Sequence, residues 1–582
     1  MINEYQSFIP EIFVVKRFPA CLKVFTFLFF GSIGPLTGQH SDSLVNLLNE
    51  EMKRQLSELQ NAPVAPYYID YQLNDVHYTN ITSSFGSLIQ SSKDRSRLLK
   101  VNVRLGDYQF DNTHSTEHGS GVDYESHQYE GMGGYSLFPI TNQPDAIRYT
   151  LWQAAESAYK SSLREYRHIK SPTTKPVMTK VPDFSKEEPS HYYEPEDREF
   201  EKKFDLKNWE DRTRSYSSLF LNNKDLITGE VTLSVIRQRD YFVSSEGSEV
   251  VQNTIHYYLY VMASIRAQDG DILPLHKTYF GFQHDQLPGK EQIELDIRQM
   301  IAKLEALRVA PIAEPYTGPA ILHAQTAGVF FHEIFGHRVE GHRLKDETDG
   351  QTFRAQVKEQ VLPAHISVAF DPTITQIGNK LLNGHYKFDN EGVRAQRVQA
   401  VENGILKTFL MSRTPLDNFI TSNGHGRSSP GVGTVSRQSN LIVETSKSQS
   451  MEELRKLLIK ECKRQKKKYG YLFKDVMGGF TNTDRFTPNA FNIFPTEVYR
   501  IYTDGRPDEL VRGVDLIGTP LSMFAEIGAT GDEREVFNGF CGAESGQVPV
   551  SAISPALFVK RIETQKKPTA VQDTTLLARP AN

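Results

Sequence analysis

Cysteine is scarce in this chain: its 582 residues carry only Cys21, Cys462 and Cys541. Three thiols exclude a disulfide framework. A strong charge of one sign is lacking too, since 66 basic residues face 71 acidic ones for a net charge of −5. So mild a balance, with no basic stripe interleaved with aromatics, argues against nucleic acid as a partner. No internal repeat is visible. The apolar run from Val24 to Gly34 is too short for a comfortable, stable membrane span. What remains is an ordinary globular composition, 38% hydrophobic and 24% charged, with length for about two to four domains.

The stretch that organises the rest is 327–342. It contains H-E-x-x-x-H, in which His332 and His337 flank Glu333 behind apolar residues suited to a buried helix. Imidazole nitrogens are good ligands for a divalent transition metal, and a neighbouring glutamate can take a proton from water that the metal acidifies. The familiar zinc-protease helix spaces its histidines four apart. Here they are five apart, so on a regular helix they diverge by roughly 140°. A wide, π-type turn would return both to one side, and Gly336 makes that distortion cheaper. Two histidines alone fit a core and a surface position of an ordinary helix equally well. A metal site needs a third donor.

Cys21 lies in a leader-like segment, and Cys462 sits in the basic run 460–464, most simply a solvated helix face. Cys541 lies in a glycine-rich turn ahead of an apolar strand, within 538–550, where glycines let the backbone fold tightly and present sulfur. A thiolate added to two imidazoles leaves a fourth position open, the arrangement of a catalytic zinc. A lone cysteine is otherwise a small buried hydrophobe.

Residues 1–38 combine Lys16, Arg17 and Lys23 with a short apolar core and small residues. They read as a signal with an overlong basic region, so export is expected; a cytoplasmic N-terminal core helix is the other reading. Residues 39–314 read as an α+β domain with an antiparallel sheet. Its elements are an amphipathic helix from Ser43, strands at 67–73, 83–89 and 96–105, and a helix at 145–167. Further strands at 230–236 and 254–261 and a helix at 289–308 complete it. Within it, 170–207 is rich in proline, lysine and glutamate and reads as an exposed excursion. Residues 315–563 read as a mainly-β, barrel-like domain holding the H-E-x-x-x-H helix. Sheet-like alternation recurs there at 361–377, 404–410, 440–444, 490–502 and 548–562, around a basic helix at 452–468. A polar tail, 564–582, follows.

The spaced motifs from Gly318-Pro319-Ala320 through His332-Glu333, His337 and Glu340-Gly341 resemble the TldD/PmbA metallopeptidases. So do Asp389-Asn390-Glu391-Gly392, Glu402-Asn403-Gly404, Asn423-Gly424-His425-Gly426-Arg427, Cys541-Gly542 and Gly546-Gln547-Val548-Pro549. The resemblance covers about 318–562 in order. It implies zinc bound by His332, His337 and Cys541, with Glu333 as the catalytic base. The family's inactive subunits lack H-E-x-x-x-H, so this chain resembles the catalytic type. It further implies hydrolysis of small or unfolded peptides inside a cavity enclosed by a homodimer or by a heterodimer with a related subunit. A non-catalytic peptide-binding or scaffold protein with a structural metal is the competing class, and Glu333 argues against it. His425, Arg427 and His323 are candidates for stabilising the oxyanion, and each has a structural alternative. Asp389 and Glu391 are placed to orient a liganding histidine or simply to form a turn. His342 is expected outside the ligand set.

Overall fold

The computed structural model describes residues 42–116, 135–345, 349–484 and 490–567. The expected leader, Cys21 and nearly all of the expected polar tail lie outside the described residues. Helix Ser43–Leu59 forms where Leu44, Val45, Leu48 and Met52 recur at helical spacing, and all four are buried. With helix Pro144–Ile169 it covers one part of a seven-stranded sheet. In space the strands run Ser136–Leu137, Ser87–Leu105, Pro66–Ser84, Leu226–Ser244, Glu249–Arg266 and His191–Tyr193, with Ile272–Gly281 also on Glu249–Arg266. Every pairing is antiparallel except that of the short His191–Tyr193 strand.

Alternation predicts a separate strand at 83–89, but the chain turns there. Phe85 and Gly86 both take positive φ, 45° and 81°, the conformation that joins two right-twisted strands through a two-residue loop. Along 170–207 the structure adds anchors that composition does not announce. Phe184 and Asp183 are buried, His114 Nδ1 lies 2.8 Å from Asp183 Oδ2, and Arg413 donates to the Ser185 carbonyl.

From Tyr316 onward the strands build a second, mixed sheet of twelve strands. Its spine is Gly546–Lys566, which changes partners along its length. Near Ser551–Ile553 it lies between Asn440–Thr445 and Ile527–Ala543. Near Glu563–Thr564 it lies between Tyr316–Leu322 and Val514–Gly518. Tyr316–Leu322 also pairs with Tyr469–Thr481, which closes one end of the sheet into a partial ring. It is not the barrel the strand count suggests: a strand with two edges and four partners forces the sheet to branch, and the other strands run off open. Cys462 also departs from expectation. Helix Met451–Arg464 turns Leu454, Leu458 and Cys462 inward, against Gly470, where a Cβ would lie 2.9 Å from the sulfur. Burial pushes this thiol up to about 11, so it is an inert core group.

Candidate metal centre

Helix Ala324–Ile334 is buried almost throughout. Its small residues bring it against the spine of the second sheet: a Cβ on Gly328 would lie 2.9 Å from the Ala552 carbonyl oxygen. The helix stops at Ile334. Phe335 leaves regular helix geometry (φ −103°, ψ −51°) and Gly336–Val339 forms a 3₁₀ turn. The backbone therefore tightens where a wide turn is expected. That turn brings the two rings together, with centroids 5.1 Å apart and planes at 84°. Gly336 is needed for a reason other than helix distortion. A Cβ there would stand 1.8 Å from Oε1 of the fully buried Gln438. Arg338 donates to the carbonyls of Glu333 (2.8 Å) and Ile334 (3.2 Å), satisfying groups that every helix end leaves open.

Cys541 sits on a strand, not in the turn expected for it. It belongs to Ile527–Ala543 and faces Val548 across the hairpin; the reversal comes at Glu544 and Ser545, and the positive φ (79°) falls on Gly546. The buried sulfur lies 3.4 Å from His337 Nε2. Donor atoms of His332, His337 and Cys541 all lie within 4.8 Å of one another. Among the described residues this is the one such cluster of His, Cys, Asp and Glu. Two imidazoles and a thiolate are the donor chemistry of a zinc site with a free fourth position.

Burial alone would raise the Cys541 thiol, but the charges of His337, Arg437 and His332 outweigh it and hold the thiol well below its ordinary range. Burial likewise opposes a charged His337, and Cys541 and Glu340 reverse that, raising it well above the imidazole range. A thiolate and a proton are thus held where a cation would replace the proton. Glu333 Oε2 lies 3.9 Å from His337 Nε2. Burial lifts its carboxyl above the usual range against the pull of His332 and His337. A carboxylate made more basic in this way is suited to accept a proton and give it back.

Around the cluster lies a network that sequence reasoning missed. Glu340 Oε2 lies 3.1 Å from His337 Nδ1 and accepts from Arg343 Nε at 2.8 Å. Arg343 reaches Glu544 Oε2 at 2.7 Å, and His342 pairs with the same carboxylate, so His342 stays out of the donor cluster. The available signal was the three-residue spacing of Glu340 from His337, which puts it one turn on. Asp389 and Glu391 do not orient a histidine. Asp389 accepts from the backbone N–H groups of Glu391, Val393 and Gly426, and Glu391 from that of Arg413; they form the turn. His425 is fully buried against Asn423 and Ser439 and is pushed down to about 3 by burial. Arg427 donates to the Gln438 carbonyl and stacks over Tyr386. His323, at the start of the metal helix, pairs with Glu535 at 3.3 Å.

Residues 315–566 match the family model described as the PmbA/TldA metallopeptidase C-terminal domain. That C-terminal part of the chain belongs to the TldD/PmbA metallopeptidases. It is 28% identical over 327 residues to an Archaeoglobus fulgidus protein named metalloprotease, covering 56% of this chain and 69% of that one. A Saccharolobus solfataricus protein named zinc metalloprotease TldD homolog is 24% identical over 340 residues, again covering 56% and 69%. The fold is that of TldE from Thermococcus kodakarensis, with a TM-score of 0.57 at 15% identity over 89% of this chain and 100% of the other. No helix among the described residues is long and apolar enough to cross a membrane.

Proposed function

We propose that this chain hydrolyses peptide bonds with zinc held by His332, His337 and Cys541 and with Glu333 as the general base. The observation that carries this reading is the buried cluster, the one of its kind among the described residues, in which strand residue Cys541, 204 positions after His337, meets the two imidazoles beside a carboxylate. The donor set suits zinc, and zinc stands in the name of the Saccharolobus relative. When bound, the ion supplies Lewis acidity, which acidifies water and polarises the carbonyl under attack.

Glu333 takes the proton of the attacking water and passes it to the leaving amine. Glu340, at His337 Nδ1, fixes the ring so that Nε2 faces the Cys541 sulfur. Small or unfolded peptides are the proposed substrates, since both Glu333 and the donor cluster are buried and a folded protein cannot deliver a peptide bond into such a site. Enclosure by a second copy or a related subunit fits the family.

Hydrolysis of an unstructured peptide mixture tests this reading, comparing wild type, chelated protein and Glu333→Gln. Retained zinc with lost cleavage in Glu333→Gln supports it. Equal cleavage by both removes Glu333 from the mechanism, and binding without cleavage by zinc-loaded wild type favours a peptide-binding protein.

A further inference from the structure

The two arms of the donor cluster come from distant parts of the chain, and one fully buried side chain touches both. Arg437 donates through Nη2 to the Cys541 carbonyl at 2.6 Å, and through Nη1 to Ser545 Oγ at 2.7 Å and the Gly546 carbonyl at 3.0 Å. It therefore grips both sides of the hairpin on which the sulfur rides. Its Nε lies 3.5 Å from Glu340 Oε1, the carboxylate whose other oxygen meets His337 Nδ1. An ion pair between Arg437 and Glu340, with no hydrogen bond between the two facing atoms, and the Glu340–His337 contact thus link the hairpin to the imidazole. Burying a guanidinium is expensive unless its charge is matched. Here Glu340 supplies the facing carboxylate and the hairpin's carbonyls and Ser545 hydroxyl take the fork, so the arginine is built into the site and does not merely fill the core.

We infer that Arg437 is a positioning residue that sets the Cys541 sulfur against the His337 ring and thereby fixes the affinity of the site for metal. This rests on the zinc-site reading above. A planar fork that reaches two carbonyls and a carboxylate at once is beyond lysine, which is a point charge on a flexible stem.

The test is zinc affinity of the full-length protein, by competition with a chromogenic chelator, with circular dichroism of each metal-free variant as a check on folding. Arg437→Gln is expected to bind zinc about 10–100-fold more weakly, the usual effect of removing a group that orients a ligand. Arg437→Lys is expected to be about tenfold weaker, keeping the charge and losing the fork. Because Arg437 holds the hairpin directly and also faces Glu340 as an ion pair, the double variant Arg437→Gln/Glu340→Gln is expected to lose less affinity than the product of the two single effects. Wild-type affinity in Arg437→Gln, or single effects that multiply fully in the double variant, overturns the inference. Should Arg437→Gln not fold, wild-type affinity in Arg437→Lys overturns it equally. Cys541→Ala separates the two levels. Loss of zinc there beside wild-type affinity in Arg437→Gln sinks the positioning role alone, whereas retained zinc there sinks the zinc site beneath it.

Discussion

The Cys541 sulfur lies 3.4 Å from His337 Nε2 across 204 positions of chain. Two features make that contact possible. The 3₁₀ turn Gly336–Val339 returns His337 toward His332, and the hairpin carries Cys541 on a paired strand. A donor on a paired strand and a donor on a helix-terminal turn are both held by backbone hydrogen bonds, which is the rigidity a preorganised site requires.

Glu333→Gln keeps the shape of the side chain and removes its basicity. Zinc content should be unchanged and peptide cleavage should fall by about 10²–10⁴-fold, measured as kcat on one unstructured peptide.

Gly479 carries a prediction about the same carboxylate. A Cβ there would lie 2.9 Å from Glu333 Cγ and 2.9 Å from the Asn492 carbonyl oxygen. Gly479→Ala should therefore push Glu333 out of place, lowering kcat while zinc stays bound. Zinc analysis beside the rate measurement checks it, and wild-type kcat would show that Glu333 tolerates the shift.

Gly336→Ala should destabilise the fold by about 1–3 kcal/mol, the usual effect of overpacking a filled core, because its Cβ would collide with the buried Gln438 amide. Urea unfolding measures it. The loss should shrink in a Gln438→Ala background, since the colliding atoms are then absent.

Burial pushes Asp389 up to about 7, and burial together with Asp389 pushes Glu391 up to about 8. Both values lie above the ordinary carboxylate range, so the native state holds protons that the unfolded chain releases. Stability from this pair is therefore fully present below the ordinary carboxylate range, about pH 4, and is lost as pH rises from there through about 7–8. Glu391→Gln keeps an acceptor for the Arg413 N–H and removes the titration. Its urea midpoint should fall less than that of wild type between pH 5.5 and pH 8.5.

How much of this was legible beforehand depends on how local each cause is. The buried helix at Ala324–Ile334 shows in its apolar run, and the long hairpins of the first sheet show in their alternation. The strand Ile527–Ala543 does not, because Gly531, Gly539 and Gly542 and the charged run 532–535 interrupt it; its partner Gly546–Lys566 imposes the extended form. The tight turn at Gly336 depends on Gln438, about one hundred positions away in the chain, which no local pattern reveals. The pairing of Glu340 with His337 was local and readable by its spacing of three. Asp389 and Glu391 looked equally suitable only because their backbone partners are invisible in a sequence.

Metal content per chain, measured on wild type and on Cys541→Ala purified side by side, bears most directly on the three-donor site. About one zinc per wild-type chain and little or none in Cys541→Ala is the expected pair of values. Equal zinc in the two proteins would contradict a site completed by that sulfur.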